Sequence, residues 1–339
     1  MTPFQQNAIP YGSKVLITGA NGFIASHIIA VLLDLGYTVR GTVRTPTPWL
    51  DDYYLEKWGP HRFESVLVPD FQKPNSFDEC VQGVSGIIHV AQALPSSPVV
   101  QDVDDAVSYT VNGNVKLLEA ASTQSSVKRV VFTSSIVAAG YPKGPEFKLD
   151  VDSWDECVSQ DARSSVDRSA YRECKAQGEF QAWKWVEKNQ PAFEFNTVLP
   201  WFTLGKVLHP KIGGSTMKYV TGLLQGNTLP FKFLPLPWFV DVVDTARLHA
   251  IALFCPTVRS ERVFAAASPF VWEEVIQILR KIQPDNQSIP EPPRDERMTV
   301  GEVIPVARAA KLLAENFGQL GWTTMETCLE GGIKKDSAK

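Results

Sequence analysis

The residues best suited to chemistry lie at the end of one predicted strand and on the long helix that follows it. The run 130–135 predicts a buried strand that ends in hydroxyl groups, Thr133-Ser134-Ser135. Tyr171 and Lys175 are four residues apart, so a helix presents both on one face. A tyrosine hydroxyl titrates near ~10, and a lysine ammonium close to it lowers that pKa, which makes Tyr171 a usable general acid. With a hydroxyl holding the carbonyl oxygen and a nicotinamide supplying hydride, these residues predict carbonyl reduction.

A second motif, near the N-terminus, predicts nucleotide binding. The apolar run 15–17 predicts a short buried strand, and an amphipathic helix begins near residue 23 and ends at Gly36. Between them, Gly19 allows a sharp turn and Gly22 allows a pyrophosphate to approach the backbone. Ala25 is small enough for helix and strand to pack closely, and the helix N-terminus favours phosphate. The alternative is an ordinary strand-to-helix turn that binds nothing.

The end of the second predicted strand, residues 37–44, indicates which dinucleotide binds. NAD-binding units place a carboxylate there for the ribose 2′-hydroxyl. No Asp or Glu occurs between Gly36 and Leu50, whereas Arg44 stands at the strand end. A guanidinium suits a 2′-phosphate, so the sequence predicts NADPH rather than NADH. Arg40, on the same strand, is expected to be a solvated strand residue.

The alternation of strands and helices predicts an α/β fold, a Rossmann-type doubly wound parallel sheet with a smaller, mixed C-terminal substrate-binding lobe. Further strands are predicted at 63–70, 86–91, 130–135 and 193–200, with helices at 102–123 and 169–189 and only a loop and a short helix at 45–62. We expect residues 11–200 to form the NADP-binding domain, and parts of 240–265 to return to it. Residues 201–333 are expected to form mainly the substrate-binding lobe. Residues 1–10 and 334–339 are expected to be loose termini.

Composition excludes several classes of function. The formal net charge of the 339 residues is −4, so nucleic acid and anionic membrane surfaces are not expected partners. No apolar run reaches the ~18 residues of a membrane span, and the N-terminus has no secretory pattern. Five scattered cysteines and five scattered histidines lack metal-ligand spacing, so no metal is expected. We expect a cytoplasmic monomer or homodimer acting on a small-molecule carbonyl substrate.

Several motifs together resemble those of the extended short-chain dehydrogenase/reductases. Within that superfamily the chain is similar to the dihydroflavonol reductase-like and cinnamoyl-CoA reductase-like branch, and most similar to yeast and fungal NADPH-dependent aldehyde and ketone reductases. The resemblance spans Tyr11 to about Ile333. The motifs that carry it are Thr18-Gly19-Ala20-Asn21-Gly22-Phe23-Ile24-Ala25, Val39-Arg40-Gly41-Thr42-Val43-Arg44, Phe132-Thr133-Ser134-Ser135, Tyr171 with Lys175, and Leu199-Pro200 with Gly205.

The resemblance implies roles for individual residues. Ser135, Tyr171 and Lys175 match the family's catalytic triad, and Tyr171 and Lys175 also contact its cofactor. The family's active serine is usually the second of the pair, which favours Ser135 and leaves Ser134 open. The implied cofactor contacts are Gly19, Gly22, Phe23 and Ile24 at the phosphates, Arg44 at the 2′-phosphate, Asp70 and Phe71 at the adenine, and Ala91 and Pro200 at the ribose and nicotinamide.

The chain departs from the family pattern beside the catalytic tyrosine. Cys174 stands where the family usually has serine, and Arg172 and Glu173 form an unusual charged pair. Cinnamoyl-CoA reductases carry an Asn-Trp-Tyr-Cys-Tyr-type signature around the tyrosine, which residues 168–174 lack. A CoA thioester is therefore not the expected substrate.

The segment 201–240 favours an apolar or aromatic substrate. It is rich in aromatics, prolines and glycines, contains four lysines and lacks arginine, so it fits a nucleotide diphosphate poorly. We expect it to form a mobile lid, with Phe202 and Trp238 as candidate substrate contacts, although most of its aromatics are expected in the core of the lobe. The candidate pocket walls are residues 93–97, 136–141 and 201–239.

Two other functions remain open from the sequence. A nucleotide-sugar epimerase or dehydratase uses the same scaffold and regenerates its nicotinamide. A non-catalytic NADP-sensing regulator of this fold typically lacks the Tyr/Lys pair that this chain retains at Tyr171 and Lys175.

Overall fold

The computed structural model describes residues 7–92, 102–140, 146–158, 169–233, 238–294, 296, 298 and 301–333. The strands are β1 Lys14–Thr18, β2 Thr38–Val43, β3 Phe63–Leu67, β4 Gly86–His89, β5 Arg129–Thr133, β6 Lys148–Leu149, β7 Glu194–Pro200, β8 Phe202–Leu204, β9 Trp238–Asp241, β10 Arg262–Ala265, β11 Ser268–Pro269 and β12 Glu302–Val303. The helices are α1 Phe23–Asp34, α2 Pro48–Trp58, α3 Val103–Ser122, α4 Ala170–Asn189, α5 Met217–Leu223, α6 Pro230–Phe233, α7 Val242–Phe254, α8 Trp272–Ile282, α9 Val306–Phe317 and α10 Met325–Ile333.

The central sheet has seven parallel strands in the spatial order β10-β7-β5-β4-β1-β2-β3. The strand order reverses between β1 and β4, and in sheets of this kind ligands bind at that reversal, beyond the carboxyl ends of the strands. In register, Thr18 of β1 lies level with His89 of β4, and His89 lies level with Phe132 of β5. The loops that follow these strands therefore meet at one edge of the sheet.

Helices cover both faces of this sheet, which confirms the predicted Rossmann-type fold. Helices α1, α7 and α9 pack together on one face, and α3 packs against α4 on the other. The sheet residues between them are buried on both sides, for example Leu16 and Ile17 of β1. Burial of each such side chain contributes roughly 1.5–3 kcal/mol, so these layers set the position of the loops above them.

The C-terminal part of the chain builds a smaller lobe and also returns to the main sheet. Strands β8, β9 and β11 form a mixed sheet, in which β8 and β9 are parallel and β11 is antiparallel to β9. Strand β10 pairs with β7 and so extends the central sheet. The lobe has its own core, which includes Phe202, Leu204, Met217, Phe239, Trp272, Leu279 and Leu329.

Two local expectations differ from the structure. Residues 8–10 were expected to be loose, but Ile9 is buried in the main core and the Ala8 amide donates to the Phe254 oxygen. Residues 45–62 were expected to hold only a short helix, but α2 has 11 residues, because Leu50, Tyr53 and Tyr54 give it a buried face. No helix within the described ranges combines the length and the apolar character needed to cross a bilayer.

Candidate active site

Helix α4 presents three polar side chains at successive turns beside the end of β5. Tyr171 lies in its first turn, Lys175 in the second and Glu179 in the third. The Lys175 ammonium donates a hydrogen bond to the Thr133 main-chain oxygen at 2.9 Å. Because burial outweighs the effect of nearby acidic groups, the pKa of Lys175 is lowered to about 8. Lys175, a member of the predicted triad, thus joins α4 to the end of β5.

The Tyr171 side chain is partly exposed, and its hydroxyl lies beside that of Ser135. Its side chain is 43% exposed, yet protein atoms surround it closely enough that burial raises the pKa of its hydroxyl, while the Ser135 hydroxyl lowers this pKa in part. The sequence predicted that Lys175 would lower the Tyr171 pKa; here the ammonium is directed at Thr133 instead. A raised pKa keeps the phenol protonated at neutral pH, which is the form that a general acid requires.

The two serines after β5 have different partners. The Ser134 hydroxyl donates to a carboxylate oxygen of Glu179 at 2.6 Å and is buried. The Ser135 hydroxyl donates to the Pro200 main-chain oxygen at 3.3 Å and lies near Tyr171. The register that sets Thr133 level with Val198 brings Ser135 to the end of β7. Geometry therefore favours Ser135 over Ser134 as the serine that faces a substrate.

The turn between β1 and α1 fits a pyrophosphate. Gly19 has φ +69°, and a side-chain carbon there would lie 3.1 Å from Ala91, so a larger residue would be strained and crowded. The N-cap of α1 is Gly22, no side chain caps the helix, and its first turn has no acidic residue. The uncapped N–H groups and the partial positive charge of the helix are available to an anion. The residues present thus fit the diphosphate of a dinucleotide.

Phe23 and Ile24 have side chains that point away from this turn. Phe23 is buried in the core of the C-terminal lobe, with its ring edge-to-face against His27, and Ile24 packs between the two cores. His27 donates to the Lys206 main-chain oxygen at 2.8 Å. Contact of residues 23 and 24 with a cofactor would therefore use their backbone, while their side chains fasten the phosphate loop to the lobe.

Arg40 lies within β2 and Arg44 directly follows it, and their surroundings differ. Arg44 is exposed just beyond the strand. Arg40 is not solvated as expected: it donates to Glu64 at 2.8 Å and to the main-chain oxygens of Cys80 and Gln82. These contacts anchor β2 to its neighbours and leave Arg44 as the arginine at the predicted 2′-phosphate position.

The predicted adenine edge follows β3, two strands from the phosphate turn and on the same side of the reversal. The Asp70 carboxylate accepts hydrogen bonds from the Gln72 amide at 2.9 Å and from the Tyr109 hydroxyl at 3.1 Å. The Phe71 ring packs beside Phe77 and close to Gly113 of α3. Asp70 is thus held in place by two donors and orients the loop that follows β3.

Two buried histidines, His89 and His249, brace the carboxyl ends of β1, β4 and β5. Thr18 Oγ1 accepts from the Val90 and Ala91 amides, so its own proton goes to His89 Nδ1 at 2.8 Å. His89 Nε2–H then donates to Asn114. Burial lowers the pKa of His89 to about 4, so the ring is neutral.

The second histidine acts on β5 from the opposite face. His249 of α7 donates from Nδ1 to the Thr245 oxygen and accepts from Thr133 Oγ1, each at 2.8 Å. Burial also lowers its pKa to about 4. Thr133 is therefore fixed through its hydroxyl by His249 and through its carbonyl by Lys175. These partners come from distant parts of the chain, so the sequence alone does not identify them.

The departures beside the tyrosine are structural features of α4. Arg172 forms ion pairs with Asp155 at 2.8 Å and Glu156 at 3.2 Å, which anchor the first turn of the helix. Cys174 is fully buried and packs against Ala106 and Val107 of α3. The thiol fits this contact and also lies against the Thr110 hydroxyl.

The predicted substrate contacts lie in the C-terminal lobe. Phe202 is 3% exposed, in the lobe core, with its ring stacked on that of Tyr219. Trp238 is 7% exposed and stacked on Trp201 with ring centroids 6.2 Å apart. Tyr219 of α5, which the sequence did not single out, is 38% exposed and near enough to raise the Tyr171 pKa. Of the predicted walls, residues 93–97, 141 and 234–237 fall outside the described residues.

A small cavity of about 30 Å³ lies behind Lys175. Its lining includes the polar side chains of Gln92, Asn114, Ser134 and Glu179. Gln92 Nε2 is buried without a hydrogen-bond partner. A cavity of this size and polarity can hold an ordered water molecule. The described residues contain no cluster of His, Cys, Asp and Glu that could hold a metal ion.

Comparisons with known proteins identify the family of this chain. The ketoreductase adrE of Penicillium rubens is 64% identical over 336 residues, which cover 99% of this chain and 100% of that protein. Aldehyde reductase 2 of Sporidiobolus salmonicolor is 32% identical, with both chains fully covered. The crystal structure of yeast methylglyoxal/isovaleraldehyde reductase Gre2 complexed with NADPH has a similar fold, with a TM-score of 0.79 at 23% identity over 94% of this chain and 96% of that one. Residues 15–228 match the model of the NAD dependent epimerase/dehydratase family, and the chain belongs to this family.

Proposed function

We propose that this protein is an NADPH-dependent carbonyl reductase that converts an aldehyde or ketone to an alcohol. The observation that carries the proposal is the placement of Tyr171 on α4 beside Ser135 at the end of β5, with Lys175 one turn further along. The names of the relatives support it: two share the ketoreductase or aldehyde reductase description over nearly their whole length.

The residues divide the chemistry among them. Ser135 hydrogen-bonds the carbonyl oxygen and orients it towards Tyr171, which donates its phenolic proton to that oxygen as negative charge develops there. When bound, the nicotinamide supplies the hydride to the carbonyl carbon, so that hydride and proton together complete the alcohol. Lys175, whose ammonium is anchored on the Thr133 main-chain oxygen, would hold the nicotinamide ribose.

The cofactor proposal rests on the phosphate turn and on Arg44. Gly19 and Gly22 leave the backbone free to approach a diphosphate, and the uncapped start of α1 favours its charge. Arg44 is exposed at the end of β2, where a 2′-phosphate would lie, whereas Arg40 is engaged elsewhere. Ala91 and Pro200 would line the ribose and nicotinamide, and Asp70 and Phe71 the adenine.

An apolar or aromatic substrate is favoured by the exposed faces of Tyr171 and Tyr219, which lie close to each other across the two lobes. Phe202 stacks on Tyr219 and Trp238 stacks on Trp201, and both are proposed to shape the pocket through this packing. We further propose that residues 11–200 with parts of 240–265 form the cofactor-binding half and 201–333 mainly the substrate lobe, and that the enzyme acts in the cytoplasm as a monomer or homodimer.

The two other functions predict different outcomes in one assay. Purified protein is incubated with NADPH and an aromatic ketone, and NADPH absorbance and alcohol formation are followed. Equal loss of NADPH and gain of alcohol supports the reductase. Turnover of a UDP-sugar without net change in the cofactor would identify an epimerase or dehydratase instead. Binding of NADPH with no turnover of any carbonyl would identify a regulator. Tyr171→Phe serves as the matched inactive control.

A further inference from the structure

A buried carboxylate that the mechanism does not use lies one helical turn beyond Lys175. Glu179 is 3% exposed, and its two oxygens are fully engaged. One accepts from Ser134 Oγ at 2.6 Å, and the other accepts from Thr197 Oγ1 of β7 at 2.7 Å. The carboxylate therefore joins the end of β5 and the middle of β7 to the helix that carries Tyr171 and Lys175.

Its charge is balanced from the edge of the sheet. Arg262 of β10 donates from Nε to one Glu179 oxygen at 2.8 Å and from Nη2 to the other at 3.1 Å. The guanidinium is itself held by the main-chain oxygens of Val151 and Ser153 and lies 3.9 Å from the ring centroid of Trp154. A buried ion pair contributes little net stability on average, so its presence here calls for another role.

The second role is electrostatic and concerns Lys175. Within the described residues no carboxylate forms an ion pair with Lys175, which donates to a neutral carbonyl. The titratable groups that face it are Tyr171, Cys174 and Glu179 from α4, His89 from β4 and His249 from α7. Burial raises the pKa of Tyr171, so its hydroxyl is neutral at pH 7. Both histidines are neutral, and Cys174 is a buried thiol whose pKa is raised by burial. Glu179 is therefore the source of negative charge that opposes the loss of the Lys175 proton.

We propose that Glu179 is a positioning residue for the reaction, which fixes the Ser134-Ser135 turn and supplies the buried negative charge that faces the Lys175 ammonium. The proposal rests on the proposed function, since it assigns Lys175 and Ser135 the roles given above. Glu179 acts through these residues, because it is buried and lies two helical turns beyond Tyr171. Arg262 keeps the carboxylate oriented towards Ser134 and Thr197.

The test compares Glu179→Gln with Arg262→Gln. Each breaks the same ion pair, but only the first removes negative charge near Lys175. The readout is the affinity for NADPH between pH 7 and pH 10, measured by quenching of tryptophan fluorescence, so no turnover is needed. In Glu179→Gln the pH at which affinity falls should move down by about 1 unit, the low end of the effect of a close charge. In Arg262→Gln it should not move down.

Three results separate the possible failures. Suppose that the pH at which NADPH affinity falls is lowered equally in both variants, or in neither. Glu179 then has only a structural role, and the inference is overturned. If the wild type binds no NADPH, the proposed function fails first. If Glu179→Gln does not fold, Glu179→Asp is used because it retains the charge. In this variant NADPH affinity should fall at the same pH as in the wild type, while kcat should drop because the serine turn is displaced. A fall in NADPH affinity at lower pH in Glu179→Asp contradicts the inference. Ser134→Ala, which removes one hydrogen bond and no charge, is the matched control.

Discussion

The Lys175 ammonium donates a hydrogen bond to the Thr133 main-chain oxygen at 2.9 Å, and this contact joins α4 to the end of β5. The Thr133 hydroxyl is held at the same time by His249 from the opposite face of the sheet. The strand end that carries Ser135 is therefore fixed relative to Tyr171 in the free protein. Because the site is already ordered, less binding free energy is spent on ordering its side chains when substrate and cofactor bind.

Replacement of Tyr171 by Phe should lower kcat for ketone reduction by at least ~100-fold, because it removes the proposed general acid. The apparent KM for NADPH should change little, since the ring remains. Steady-state kinetics at neutral pH would measure both. Tyr219→Phe is the matched control: it removes a phenolic hydroxyl from the same region and should keep most of the activity. Near-normal turnover of Tyr171→Phe would refute the assignment.

The reductase rate should fall as pH rises through about 8. Burial lowers the pKa of Lys175 to about 8, so its ammonium is largely present at pH 7 and reduced to about a tenth at pH 9. The pKa of Tyr171 is raised, so loss of its proton cannot produce a fall in this range. A profile of kcat/KM between pH 6 and 10 tests this. Lys175→Arg, whose guanidinium stays charged, should have a lower kcat/KM at every pH, but its kcat/KM should not fall near pH 8. A wild-type kcat/KM that stays constant up to pH 10 would contradict the prediction.

Arg44→Ala should raise the apparent KM for NADPH and leave that for NADH nearly unchanged, because only NADPH carries the 2′-phosphate. Arg40→Ala is the matched control on the same strand. It breaks the Glu64 ion pair and the bonds to the main-chain oxygens of Cys80 and Gln82, so it should lower the melting temperature without a change in cofactor preference. A wild-type preference for NADH would show that Arg44 does not select the cofactor.

Stability should decrease as pH falls from 6.5 to 4. Burial lowers the pKa values of His27, His89 and His249 to about 4, so the unfolded chain takes up protons in this range that the folded chain does not. Each histidine then lowers the free energy of unfolding by roughly 1.4 kcal/mol per pH unit. Urea unfolding at pH 7 and pH 5 measures the difference. His27→Gln, whose amide can still donate to the Lys206 oxygen, should show a smaller dependence; equal stability of the wild type at both pH values would oppose the account.

Local sequence patterns predicted the parts of the fold that depend on local periodicity. The apolar run before Gly19, the helical spacing after Gly22 and the four-residue spacing of Tyr171 and Lys175 are all properties of consecutive residues. The structure confirms β1, α1 and α4 at the predicted positions, and β4 and β5 shorter than predicted at their carboxyl ends. A strand ends where its loop turns away, and that point depends on contacts such as those of Thr18 Oγ1 with the Val90 and Ala91 amides.

Tertiary structure decided what depends on partners far apart in the chain. Glu179 and Arg262 are 83 positions apart, and only the pairing of β10 with β7 brings them together beneath the site. Burial raises the pKa of Tyr171, whereas the sequence predicted that the Lys175 charge would lower it. The desolvation cost depends on every neighbour packed around the hydroxyl, and these neighbours come from several parts of the chain. Spacing in the sequence determines which residues share a helix face, and packing determines what that face meets.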